Sequence, residues 1–134
     1  MRVFITGGAG FVGSHMARRL IGEGHTVTCY DNLSLGRVEL IEDLLPGGNC
    51  RFVHADLVDD DALMAAMADH DAVVHLAANS DIGKGLADPS LDFRHGTVAT
   101  WHTLEAMRRH GIRELIFASS SVVYGEAEVI PTPE

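Results

Sequence analysis

The sequence predicts an α/β protein built on a doubly wound parallel sheet of spatial order 3-2-1-4-5. Three observations point there. Short runs rich in Val, Ile and Phe alternate with helical patterns along the whole chain. A glycine-rich stretch, Thr6-Gly-Gly-Ala-Gly-Phe-Val-Gly13, stands where the first apolar run gives way to a helix. An acid, Asp31, closes the second apolar run. Right-handed crossovers around such a glycine turn give the stated strand order.

The elements follow in sequence. The first strand covers Arg2 to Thr6 and the first helix Phe11 to Gly22. The second strand runs from Thr26 to Asp31. A short helix is expected over Arg37 to Leu45, stopped by Pro46-Gly47-Gly48. The third strand is Arg51 to His54. A helix from Asp59 to Ala68 places Ala62, Leu63, Ala66 and Met67 at helical spacing. The fourth strand is Ala72 to Leu76. Asp88-Pro89 reads as an N-cap followed by proline at the first helical position. That helix continues to Arg109, and Gly111 stops it. Val98, Trp101, Leu104 and Met107 read most simply as its core face, or in part as an association surface. The fifth strand is Glu114 to Ala118, and 126–134 reads as loop.

The glycine stretch has a specific chemical use. Gly7 permits a tight turn, Gly10 lets the backbone approach a pyrophosphate, and Gly13 lets helix and sheet pack closely. The following helix points free N–H groups and its positive end at the anion. Asp31 lies 18 residues beyond Gly13, the distance expected of an acid that binds adenosine ribose hydroxyls. A carboxylate there repels a 2′-phosphate and favours NAD over NADP. Arg37 is close enough in sequence to leave NADP open.

Composition sets the outer bounds. At 134 residues the chain is one domain with a buried core. A net charge of −9 argues against nucleic acid and anionic membranes as partners. No apolar run approaches spanning length, and Met1-Arg2 leads directly into a strand, so no leader is expected. Cys29 and Cys50 form no C-x-x-C pair; free thiols in a reducing cytoplasm are expected, with a single bridge as the alternative. The eight histidines show no metal-ligand spacing, so no metal is expected.

Other residues gather at the carboxyl ends of the strands, where ligands of such sheets bind. Asp56-Leu57 follows the third strand; Asp56 could accept from an adenine amino group or cap the next helix. Leu76, Ala77 and Ala78 are small or apolar and would let a flat ligand lie close. His75 reads as a packed, hydrogen-bonded histidine rather than a catalyst. Ser119, Ser120 and Ser121 could hydrogen-bond a sugar oxygen, or could cap the end of the fifth strand.

Taken in order, the glycine stretch, Asp31-Asn32, Asp56-Leu57, His75-Leu-Ala-Ala78, Asp88-Pro89 and Ser119-Ser-Ser-Val-Val-Tyr-Gly125 resemble the extended short-chain dehydrogenases/reductases. The resemblance is nearest to the NAD-dependent sugar-nucleotide epimerase/dehydratase family, the UDP-glucose 4-epimerases among them. It implies a Rossmann-type sheet and bound NAD. The implied chemistry is transient oxidation of a UDP-hexose at C4, turnover of the 4-keto sugar, and return of the hydride to its other face. It assigns Gly7, Gly10, Phe11, Val12, Gly13, Asp31, Asn32, Ser34, Asp56, Leu57, Leu76, Ala77, Ala78 and Ser119 to the cofactor. It aligns the active-site serine with Ser120, with Ser121 the adjacent alternative. Related dehydratases carry a Thr-Asp-Glu triplet where this chain has Ser120-Ser121-Val122, which favours an epimerase.

Two departures stand out. The usual asparagine of the long helix is replaced by Gly96. The catalytic Tyr-x-x-x-Lys is absent: Lys84 is the only lysine, and Ser80 stands four residues before it. The resemblance would place that pair just past Glu134, with the remaining strands and the sugar-binding domain. The expectation is therefore an amino-terminal dinucleotide-binding portion over 1–125, able to bind NAD and inactive alone. Two alternatives remain: a regulatory NAD-binding module without chemistry, and a reductase or dehydratase of the same superfamily. An open fifth strand, and a helix that dimerises in the family, imply self-association, with a homodimer the expected form.

Overall fold

Alternation along the strands decides the layering. In β1 (Arg2–Thr6), Val3 and Ile5 enter one core while Phe4 enters the other. Cys29 and Tyr30 of β2 (Thr26–Asp31) divide in the same way, as do Val74 and Val73 of β4 (Ala72–His75). Both faces of the sheet must therefore be covered. Helix α1 (Phe11–Gly22) covers one with Ala17, Met16 and Leu20. Helices α2 (Asp60–Met67) and α5 (Ala99–His110) cover the other with Leu63, Ala66, Met67, Ala106 and Met107. Each large side chain buried in this way contributes about 1.5–3 kcal/mol.

The computed structural model describes residues 1–125 and 129–131, without the side chains of residues 121 and 122. Residues 126–128 and 132–134 of the expected terminal loop lie outside the described residues. The five strands pair in parallel in the order β3-β2-β1-β4-β5, as the sequence predicts, with β3 at Cys50–His54 and β5 at Glu114–Phe117. The register aligns Thr6 with Tyr30 and with His75, so the carboxyl ends of β1, β2 and β4 share one rim. The fourth and fifth strands each end one residue earlier than expected. The next amides still reach across: Leu76 N–H donates to the Thr6 carbonyl (3.2 Å), and Ala118 N–H to that of His75 (3.1 Å).

Several elements differ from expectation. The helix expected at 37–45 is two 3₁₀ segments, Val38–Leu40 and Glu42–Gly47, and the second includes Pro46 and is capped by Gly48. Ile41, fully buried between them, anchors this stretch in the core beside α1. A helix the sequence did not suggest, α3 (Ile82–Ala87), is capped by Asp81, whose side chain accepts from Lys84 N–H at 3.1 Å. The long helix begins as expected, with Asp88 capping Ser90 and Pro89 in first place. It proceeds as α4 (Pro89–Asp92), a π-helical segment (Phe93–Val98) and α5.

The expected core stripe on this helix holds only in part: Met107 is buried and Val98 half-buried, and the other two members are corrected. Trp101 is 60% exposed and Leu104 45% exposed, whereas Ala99, Thr103, Ala106 and Met107 are buried. Steps of three residues drift by about 60° each around an α-helix, so the four positions could not share one face. Ala106 and Met107 lie three and four residues past Thr103, which itself lies four past Ala99, so the buried set shares one face.

Candidate functional site

The glycine turn is held from beneath. Gly7 N–H and Gly8 N–H both donate to the Tyr30 carbonyl, at 2.9 and 3.3 Å. Gly7 has φ +69°, a region that favours glycine, and a Cβ there would meet Ala77 N at 3.0 Å. A Cβ on Gly13 would strike the Gly7 carbonyl oxygen and lie 2.8 Å from Gly8 Cα. Only glycine lets α1 start this close to the turn.

That close start leaves donors without acceptors. Gly10 N–H donates back to Gly7, and Ser14 N–H to Gly10. Among the described residues, the amides of Phe11, Val12 and Gly13 have no protein acceptor. No side chain caps α1 and no acid lies in its first turn, so the positive end of a 12-residue helix is uncompensated. An anion is the partner this arrangement suits.

Asp31 ends β2 beside that turn and is 8% exposed. Its Oδ2 accepts from Ala9 N–H at 3.0 Å and its Oδ1 from Leu33 N–H at 2.8 Å. A carboxylate offers about four lone-pair sites, so both oxygens keep capacity for hydroxyl donors. Asn32 Nδ2 donates to Asp56 Oδ2 at 3.0 Å, and Asn32 Oδ1 accepts from Ser34 N–H. Asp56 lies two residues past the end of β3. Its burial opposes ionisation, but the hydrogen bonds from Asn32 and Val58 N–H prevail and hold it below the usual carboxylate range. The helix-capping role left open for Asp56 belongs to Asp59, whose side chain accepts from Ala62 N–H.

The end of β4 is fixed by a buried polar network. Thr6 Oγ1 accepts from Leu76 N–H and Ala77 N–H, at 3.1 and 3.2 Å. Its one proton therefore goes to His75 Nδ1, 2.8 Å away. His75 Nε2 then carries the ring proton and donates to Thr100 Oγ1 at 3.0 Å. Burial pushes the His75 pKa down to about 4, so the ring is neutral at physiological pH. This is the packed histidine expected from sequence.

These residues enclose one cleft of about 600 Å³. Its walls include Gly7, Gly10, Phe11, Val12 and Gly13 from the turn, and Asp31, Asn32 and Ser34 after β2. Asp56 and Leu57 follow β3, and Leu76, Ala77 and Ala78 follow β4. Ser119 and Ser120 are exposed past β5 and do not line it; the side chain of Ser121 is not described. Arg37 is not among the walls. Sequence reading missed Gly36, Lys84, Leu91 and His95, which do line the cleft. The capping acid Asp81 was the signal that could have placed Lys84. His95 sits in the π-helical segment, which has no sequence signature. Among the described residues, no group of His, Cys, Asp or Glu is placed to hold a metal.

The doubly wound sheet and the cleft over its glycine turn define a Rossmann-type fold of the dinucleotide-binding class. Comparison with known proteins narrows the class: residues 3–134 match the NAD dependent epimerase/dehydratase family, and the chain belongs to it. It is 38% identical over 138 residues to a probable UDP-arabinose 4-epimerase 3 of Oryza sativa subsp. japonica, covering 98% of this chain and 34% of that one. It is 33% identical to the UDP-glucose 4-epimerase of Bacillus subtilis, covering 100% of this chain and 41% of that one. A crystal structure of UDP-glucose 4-epimerase from Stenotrophomonas maltophila, with bound NAD and formylated UDP-arabinopyranose, superimposes with a TM-score of 0.88. That protein is 35% identical, with 98% of this chain and 40% of that one covered. The chain thus spans about a third to two-fifths of the length of such relatives.

Proposed function

We propose that this chain is the NAD-binding part of a UDP-hexose 4-epimerase, and that by itself it binds NAD without turning over sugar. One observation carries the reading: the unpaired amides of Phe11, Val12 and Gly13 line the same cleft as the Asp31 carboxylate. The amides would hold the pyrophosphate. Asp31 would accept from the adenosine ribose hydroxyls and repel a 2′-phosphate, which makes NAD the preferred form. Asp56, ionised at neutral pH, would accept from the adenine amino group beside Leu57. Leu76, Ala77 and Ala78 offer a low rim against which a flat ring can lie.

Bound NAD supplies a reversible hydride acceptor; the chain's own residues do the holding. Ser119 would serve the cofactor, and Ser120, or its neighbour Ser121, would hold the sugar hydroxyl that loses its proton. Taking that proton needs a base with a suitable pKa. The sequence holds no Tyr-x-x-x-Lys, and His75 has both ring nitrogens engaged. Turnover by these 134 residues is therefore not expected. The names of the relatives support a UDP-sugar as substrate.

The exposed Phe93, Trp101 and Leu104 support self-association through the long helix, with a homodimer as the expected form. Two unbridged thiols, Cys29 and Cys50, support a reducing cytoplasm. No described helix is long and apolar enough to cross a membrane.

Calorimetric titration tests the binding half. The folded chain should bind NAD at one site and NADP at least about tenfold more weakly, the equivalent of about 1.4 kcal/mol. A folded chain that gives no heat with NAD contradicts the reading. An assay for UDP-glucose conversion to UDP-galactose tests the other half: none is expected, and detectable conversion contradicts it.

A further inference from the structure

We infer that Gly36 is a positioning residue for cofactor choice: the space left by its missing side chain is what holds the Asp31 carboxylate in its ribose-binding orientation. The inference rests on the NAD-binding reading above.

The space around Gly36 is filled by Asp31. A Cβ at position 36 would lie 2.7 Å from Asp31 Oδ1, 2.8 Å from Oδ2 and 2.9 Å from Cγ. Those separations are shorter than side chains tolerate, so the carboxylate or the loop would have to move. Backbone conformation does not explain the glycine, since Gly36 is not among the positive-φ residues. Space alone requires it.

Neither neighbour can give way easily. The carboxylate is pinned by Ala9 N–H on one oxygen and Leu33 N–H on the other. The loop is fixed at both ends. Leu33 is held at φ +58°, and Arg37 N–H donates to the Ala9 carbonyl at 2.9 Å. Ala9 is thus tied twice, to Asp31 through its N–H and to the 33–37 loop through its carbonyl. A side chain at 36 would rotate the carboxylate off its two amides. The disturbance would reach Ala9, the residue before Gly10 in the turn.

The test is a double-mutant cycle on the chain. Gly36→Ala should weaken NAD about tenfold or more, the scale of a lost hydrogen bond to a charged group. NADP, which gains nothing from the carboxylate, should weaken less, so discrimination narrows. Asp31→Ala should weaken NAD similarly, and Asp31→Ala/Gly36→Ala should be no weaker than Asp31→Ala alone. Unchanged NAD affinity in Gly36→Ala, or effects that add, overturns the proposal. If Gly36→Ala does not fold, the double variant should fold again, because the group its Cβ meets is gone. A double variant that stays unfolded also overturns it. Failure of the parent chain to bind NAD would instead overturn the functional reading.

Discussion

His75 has two hydrogen bonds and no charge, and that combination makes stability depend on pH. Its pKa falls from 6.5 to about 4 in the folded chain because burial disfavours the imidazolium. Between those values the unfolded chain binds a proton that the folded chain does not. Stability therefore falls as pH drops from 6.5 towards 4, and His75 contributes no slope above that window. The loss approaches about 3 kcal/mol at the lower end. His70, also lowered chiefly by burial, adds to it with the same sign. Urea unfolding at pH 7 and pH 4.5 should show the loss in the parent chain and a smaller one in His75→Gln. An equal loss in both would contradict the assignment. Thr6→Val removes the shared acceptor of Leu76 N–H and Ala77 N–H and should cost about 2–3 kcal/mol at pH 7. At this scale the sequence was informative where a residue's use is local. Asp31 could be read from its spacing to the glycines, whereas the Asp31–Gly36 contact needs the folded loop.

At the scale of elements, the first crossover was legible because glycine spacing dictates its backbone directly. Gly7 needs its left-handed conformation and Gly13 its bare Cα, and both follow from the motif. Gly13→Ala should push α1 away from the turn, destabilise the chain by about 1–3 kcal/mol, and weaken NAD by more than that loss of folded fraction explains. Thermal unfolding with NAD titration separates the two effects. Asp59 is a simpler case. Its cap on α2 should be worth about 1 kcal/mol in an Asp59→Ala chain, with NAD affinity unchanged. The helix α3 was not legible, because Gly83 and Gly85 hide a six-residue element whose one marker is the capping acid Asp81. The π-helical segment was not legible either. It carries His95, which lines the cleft.

For the whole molecule, the strand order and the rim follow from the alternation of strands and helices around the glycine turn. Several individual cleft walls, Asn32, Ser34 and Leu57 among them, are legible only through the family resemblance. The uncovered surface follows from neither. On the edge strand β5, Ile116 is 61% exposed and Phe117 52% exposed, and Trp101 stands out from the long helix. Two members of the three-apart pattern read as core, Trp101 and Leu104, face outward while Met107 is buried, and the outward pair strengthens the case for association. Light scattering should show dimers or larger species at high concentration, shifted towards monomer by Trp101→Glu. A monomer throughout would contradict it.

The central claim is that the first-turn amides of α1 grip a diphosphate while Asp31 holds the neighbouring ribose. Two-dimensional amide NMR of the chain during NAD titration tests it most directly. The account predicts the largest shifts at Phe11, Val12 and Gly13, with saturable changes at Ala9 and Leu33, whose amides report on Asp31. Saturable binding that leaves those five amides unmoved would contradict it.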